Sequence, residues 1–188
     1  DPQPEAEVVP QRLRRAETAV CCHAVHRVVG RLQQLPGSVQ TLLQQPALPA
    51  GAGALPEPSR ALLADVPMVL STPDAADRLV GVTGLATWQQ VTLPRPDGRQ
   101  LEIIGVPARH GPQGCEPYTG TVTGFVLRGP GLPVVYVSGD NADVANVGEV
   151  VDRLGPIEVA VLHLGAARTA VLDADLTLGA PQAVEAAR

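Results

Sequence analysis

The stretch VVYVSGDNA, residues 134–142, decides how the chain reads. Val134, Val135, Tyr136 and Val137 are β-branched or aromatic, the composition of a buried strand. Gly139 then permits a sharp turn, so the carboxylate of Asp140 is delivered at the mouth of a sheet. Its use is open between a metal ligand and an N-cap for the helical pattern that follows, a role Asn141 could equally fill.

Working outward, DVANVGEVVDRLG (143–155) sets Val144, Val147, Val150, Val151 and Leu154 on one helical face, with Gly155 as the stop. IEVAVLHLG (157–165) reads as another buried strand, and PQAVEAAR (181–188) opens a further helix. Upstream, TVTGFVLR (121–128) and LPVVYVS (132–138) form a hairpin around the Gly-Pro-Gly of residues 129–131. WQQVTL (88–93) and QLEIIGV (100–106) flank a turn that contains Asp97-Gly98, a second hairpin signal. A strand is expected from Met68 to Ser71, and Pro73 after Thr72 opens a short helix over DAADRL. Hairpins followed by strand–helix–strand predict an α/β or α+β layered domain.

The texture changes near Pro58, which divides the chain into residues 1–58 and 59–188. The first part is rich in Gln, Arg, Pro and Ala and has no aromatic residue. It carries a helical pattern over 9–29, a shorter one over SVQTLLQQ (38–45), and the low-complexity run PALPAGAGALPEPS (46–59), which reads as a linker.

A chain of 188 residues that is 45% hydrophobic can bury a sizeable core. With one Trp, one Phe and two Tyr, that core is built from Val, Leu and Ala. A net charge of -5 argues against a nucleic-acid surface. No apolar run approaches the roughly 20 residues that span a bilayer, and the acidic, proline-rich start has no signal-peptide pattern. Cys21 and Cys22 are adjacent and Cys115 is distant, which makes no disulfide framework; a reducing cytoplasm is the expected compartment. The first residue is Asp, which points to a processed product or a fragment.

Three loops after strands carry ligand-type side chains: His110 in PARHGPQG, Asp140 in SGDNA, and His163 at the end of IEVAVLH with Arg168 beyond it. Imidazole and carboxylate suit zinc, manganese or iron. Each also has a plainer reading. His110 beside Arg109 in a Gly/Pro loop is a surface residue, Asp140 a cap, and His163 a satisfied core histidine of an unrelated α/β fold.

The order PARHGP (107–112), TGFVL (123–127), YVSGD (136–140) and AVLHLGAAR (160–168) resembles the metallo-β-lactamase-fold hydrolases. The likeness is greatest to the ascorbate-6-phosphate lactonase-like, "beta-lactamase superfamily domain" branch. It covers about two thirds of the chain, from Arg60 to Arg188. It implies an αββα sandwich, of which this chain carries mainly the C-terminal half behind a helical or irregular N-terminal segment. It also implies His110 as a metal ligand, Asp140 as a bridging one, and zinc or manganese as the cation. The implied reaction is hydrolysis of a small-molecule ester, lactone or phosphoester by a metal-bound hydroxide. His163 and Arg168 match the wording of the branch, with substrate orientation as their implied role.

Two features depart from the family pattern. The main metal motif, H-x-H-x-D-H, falls where this chain reads PALPAGAGALPEPS, which has no histidine. CCHAVHRVVG (21–30) can be laid on it instead, with Cys21, His23 and His26 as ligands; the same two histidines, three apart, could simply share a helix face. A later metal histidine is expected on a strand beyond Arg188. The resemblance therefore leaves two expectations: an impaired hydrolase, or an inactive pseudo-enzyme or interaction module. An incompletely covered sheet face would favour a homo-oligomer.

Overall fold

The computed structural model describes residues 66, 68–168 and 172–188. The expected helices over 9–29 and 38–45, the linker and the Cys21/His23/His26 alternative lie outside the described residues. Among the described residues, seven strands and four helices follow one another in the order β1 (Val69–Ser71), α1 (Pro73–Ala76), β2 (Val82–Gly84), β3 (Gln90–Pro94), β4 (Gln100–Pro107), α2 (Glu116–Thr119), β5 (Thr123–Arg128), β6 (Val135–Val137), α3 (Val144–Leu154), β7 (Val159–Val161) and α4 (Ala180–Ala186).

β1 and β2 pair in parallel as a small sheet, and β3-β4-β5-β6-β7 form the main one. Both expected hairpins are present: β3 pairs antiparallel with β4, and β5 with β6. The β3–β4 turn closes as Arg95 N donates to Arg99 O at 2.8 Å, with Gly98 at φ +78°. β6 and β7 run parallel, joined through α3, because one strand can return beside another in the same direction only by a crossover.

Period-two alternation sends the main sheet's side chains to two faces. Leu101, Ile103, Phe125, Leu127, Val135 and Val137 pack with Leu70 and Leu85 of the small-sheet layer. Ile104, Val106, Val126 and Tyr136 pack under Val147 and Val150 of α3. The result is a layered mixed α/β fold, small sheet on main sheet on helix, consistent with part of a metallo-β-lactamase sandwich. Full burial of side chains such as Val147 and Val150 contributes roughly 1.5–3 kcal/mol each.

α1 begins as expected: Thr72 caps it by accepting from Ala75 N at 3.2 Å, and Pro73 occupies its first turn. α3 ends at Gly155, whose N–H donates to Val151 O at 2.9 Å, and Arg153 of its last turn lies 4.3 Å over the Trp88 ring. β7 corrects one expectation. Rather than a long buried strand over 157–165, it covers Val159–Val161, half-buried, as the last strand in the order of the main sheet. Among the described residues no helix is long and apolar enough to cross a membrane.

Candidate functional site

The loops after β4, β6 and β7 gather at one end of the main sheet. β6 stops at Val137, and the chain turns at Gly139 with φ +58°. The expected cap is corrected here: neither Asp140 nor Asn141 caps α3. Asp143 does, its Oδ1 accepting from Ala145 N at 3.0 Å. Asp140 is thereby left for another partner.

That partner is His163. Its Nδ1 lies 3.0 Å from Asp140 Oδ1, and its backbone N donates to Ser138 Oγ at 3.0 Å. A carboxylate accepts, so Nδ1 carries a hydrogen, and in the neutral ring the lone pair sits on Nε2. Both side chains are mostly covered, at 30% and 17% exposure. His163 is a satisfied histidine, as its plainer reading expects, but half-buried at a strand end and paired with Asp140.

His110 shows the same arrangement with a different acceptor. Its Nδ1 is 2.8 Å from the carbonyl oxygen of Leu176. A carbonyl cannot donate, so Nδ1 carries a hydrogen, and in the neutral ring the lone pair sits on Nε2. A metal-binding histidine typically places its second N–H on just such an oxygen acceptor. The His110 backbone oxygen in turn accepts from Cys115 Sγ at 3.0 Å, and Cys115 is buried.

The three loops are tied together. Arg109 N donates to Asn141 Oδ1 at 3.1 Å, Ala142 N to Arg109 O at 2.7 Å, and Leu178 N to Asn141 O at 2.9 Å. The Arg109 guanidinium is occupied by Asp143 at 2.8 Å and by the Gly111 carbonyl at 3.2 Å. Residues 166–167 double back on 176–178, with Leu176 N donating to Ala167 O at 2.7 Å and Ala166 N to Leu178 O at 3.2 Å. Arg168 stays outside this knot: it is exposed and ion-paired with Asp175 at 2.7 Å and Asp173 at 3.7 Å.

A cleft of about 300 Å³ opens beside His110 and Arg109, walled on the other side by Thr72, Asp74, Thr87 and Glu116. Asp140, His163 and Arg168 do not line it. Among the described residues, no three His, Cys, Asp or Glu side chains come together as a group able to hold a metal ion. Asn141, Asp143 and the Leu176 carbonyl were not singled out by sequence as parts of one network. The available signal was the Asx-rich run GDNAD, which offers three side chains able to bond nearby backbone.

A sequence model of the family described as "Beta-lactamase superfamily domain" matches residues 50–188. No curated protein matches the chain. Among solved structures, a possible metal-dependent hydrolase from Veillonella parvula DSM 2008 is similar with a TM-score of 0.46 and 15% identity, over 59% of this chain and 42% of that one. The chain thus spans less than half of that protein's length. The isothiocyanate hydrolase from Delia radicum gut bacteria is similar with a TM-score of 0.48 and 19% identity, over 81% of this chain and 70% of that one.

Proposed function

Because the chain belongs to the Beta-lactamase superfamily domain family, matched over residues 50–188, we propose that it is a metal-dependent hydrolase of a small-molecule ester, lactone or phosphoester. We assign zinc or manganese as the cation and His110 and Asp140 as two of its ligands. The observation that carries this reading is the His110 ring, whose Nδ1–H is spent on the Leu176 carbonyl at 2.8 Å, which leaves Nε2 as the nitrogen that would face a ligand in the neutral ring. The donor set suits a borderline dication: imidazole nitrogen and carboxylate oxygen. A bound cation supplies Lewis-acid polarisation of the substrate oxygen and acidifies a coordinated water.

The chain's own residues do the positioning. His110 lines the cleft that would take the substrate. His163 holds Asp140 through one carboxylate oxygen at 3.0 Å, and Asp140 would contribute its remaining acceptor capacity to a bound cation. Arg168 lies outside the cleft, exposed and ion-paired with Asp175 and Asp173, so a role in orienting the substrate finds no support in its position.

One observation favours a second reading. The described residues bring no three ligating side chains together, whereas a catalytic zinc site uses three protein ligands plus water. On that reading the chain is a catalytically inactive relative or an interaction module. Metal analysis of the purified chain separates the two. Stoichiometric zinc or manganese in the parent, lost in both His110→Ala and Asp140→Ala, supports the hydrolase; a parent that takes up neither metal after loading refutes it.

A further inference from the structure

Asn141 has a completely buried side chain, and every polar atom on it is used. Its Oδ1 accepts from Arg109 N at 3.1 Å, Asp143 N at 3.2 Å and Asn146 Nδ2 at 3.1 Å. Its Nδ2 donates to the Asp143 carbonyl at 2.7 Å. Three donors on one amide oxygen, with no water between, is a heavily committed arrangement in a site where any orphaned group costs its desolvation.

What these bonds connect matters more than their number. Asn141 follows Asp140, and Arg109 precedes His110. The Asn141 side chain grips the N–H of Arg109 while the next residue, Ala142, grips its carbonyl at 2.7 Å. Residue 109 is thus held on both sides of its backbone by residues 141 and 142. The Asn141 carbonyl also receives Leu178 N at 2.9 Å, two residues from the Leu176 carbonyl that fixes the His110 ring.

We propose that Asn141 is a positioning residue: it clamps the His110 loop onto the Asp140 loop and thereby sets both the spacing of the two side chains and the tautomer of His110. It touches no substrate. Its functional consequence rests on the ligand assignment made above, but the clamp itself does not. An aliphatic side chain of similar size would fill the space and leave the Arg109 and Asp143 N–H groups without acceptors.

The test begins with the metal-free chain of residues 1–188. Imidazole nitrogen resonances, recorded at a pH where the ring is neutral, report which nitrogen of His110 carries the proton. In the parent the Nδ1–H form dominates. Asn141→Ala is expected to release the ring toward the Nε2–H form and to lower zinc affinity by roughly 10- to 100-fold. Val150→Ala truncates the α3 core away from these hydrogen bonds and serves as the control for general destabilisation; it keeps the parent tautomer and affinity. Asn141→Asp retains the accepting oxygen and restores the Nδ1–H form, even though its buried charge against the Asp143 carbonyl lowers stability. Should Asn141→Ala fail to fold, Asn141→Ser, too short to reach Arg109, is compared with Val150→Ala in the same way. Equal tautomer populations in the Asn141 and Val150 variants overturn the proposal. A parent that binds no zinc refutes the ligand assignment instead, and leaves the tautomer measurement to decide the clamp.

Discussion

Replacing Gly139 with Ala tests how the β6 turn delivers Asp140. Gly139 has φ +58°, and a Cβ built on it would press into the backbone carbonyl oxygen of Thr123 on β5. Two costs therefore add. The left-handed backbone costs an L-residue roughly 1–2 kcal/mol. Forcing a methyl group against a backbone oxygen within a paired sheet costs roughly a further 1–3 kcal/mol, because neither partner is the flexible end of a side chain. The expected loss is about 2–5 kcal/mol. Gly98 supplies the comparison: its φ is +78°, and its Cβ would meet nothing within 4 Å. Gly98→Ala should lose only the backbone part, about 1–2 kcal/mol. Urea denaturation read by Trp88 fluorescence and far-UV circular dichroism measures both, with coincident transitions required for two-state treatment. Trp88 is the sole Trp and is packed beneath Arg153, so it reports on the α3 layer. Should Gly139→Ala lose no more than Gly98→Ala, the close approach of β6 to β5 is not what fixes the turn, and the reasoning fails.

Tyr136 is fully buried and its hydroxyl has no hydrogen-bond partner among the described residues; burial alone pushes its ionisation well above the ordinary range. Tyr136→Phe removes an unsatisfied group without losing the ring, so thermal melting should show unchanged or raised stability, by up to about 1–3 kcal/mol; a clear loss would mean the hydroxyl is satisfied in solution. Asp143→Ala removes the α3 cap and the Arg109 ion pair together and should cost roughly 0.5–2 kcal/mol from the cap alone, whereas Asp143→Asn keeps the cap. If helix content and stability respond equally to the two variants, the cap assignment is wrong. In the β3–β4 turn, the Arg99 guanidinium, then the Arg99 N–H, hold Asp97 below its ordinary value of 3.8. A carboxylate depressed on folding contributes stability that is complete above its unfolded value and disappears as pH falls through the folded one. The gap in denaturation midpoint between the parent and Asp97→Asn should thus be present at neutral pH and close at pH below 3.8; a gap independent of pH refutes the ionic origin.

The parts of the fold that sequence revealed are those whose signals are local. Alternating apolar residues with Asp97-Gly98 between them identify the β3–β4 hairpin, and the spacing of Val147, Val150 and Leu154 with Gly155 identifies α3. β2 and α2 escaped because three or four residues carry no period. Val82–Gly84 is a strand only by pairing with Val69–Ser71, a parallel partner that α1 brings alongside. The length of β7 is hidden for a related reason. IEVAVLHLG is apolar throughout, but beyond Val161 its backbone is recruited elsewhere, with His163 N turning to Ser138 Oγ.

The candidate site shows where local reading gives out. Asp140, Asn141 and Asp143 are chemically similar, sit within four residues and could each cap a helix. What separates them is the neighbour that each one meets. The parallel register Val137↔Val161, carried two residues further, sets His163 opposite Gly139 and so beside Asp140, and that carboxylate is taken by the imidazole. Asn141 faces inward, where only an amide can accept from the Arg109 N–H and still donate to the Asp143 carbonyl; a carboxylate there would be a buried charge against an oxygen. Asp143 is left at the first turn of α3, where the exposed N–H groups and the Arg109 guanidinium both favour a negative charge. Exchanging Asn141 and Asp143 would keep the composition of the run, yet it would set a buried carboxylate against the carbonyl of residue 143 and take the charge from the Arg109 ion pair. Three residues that look interchangeable in the sequence are therefore fixed in order by a strand register and a helix start that neither their identity nor their spacing reveals.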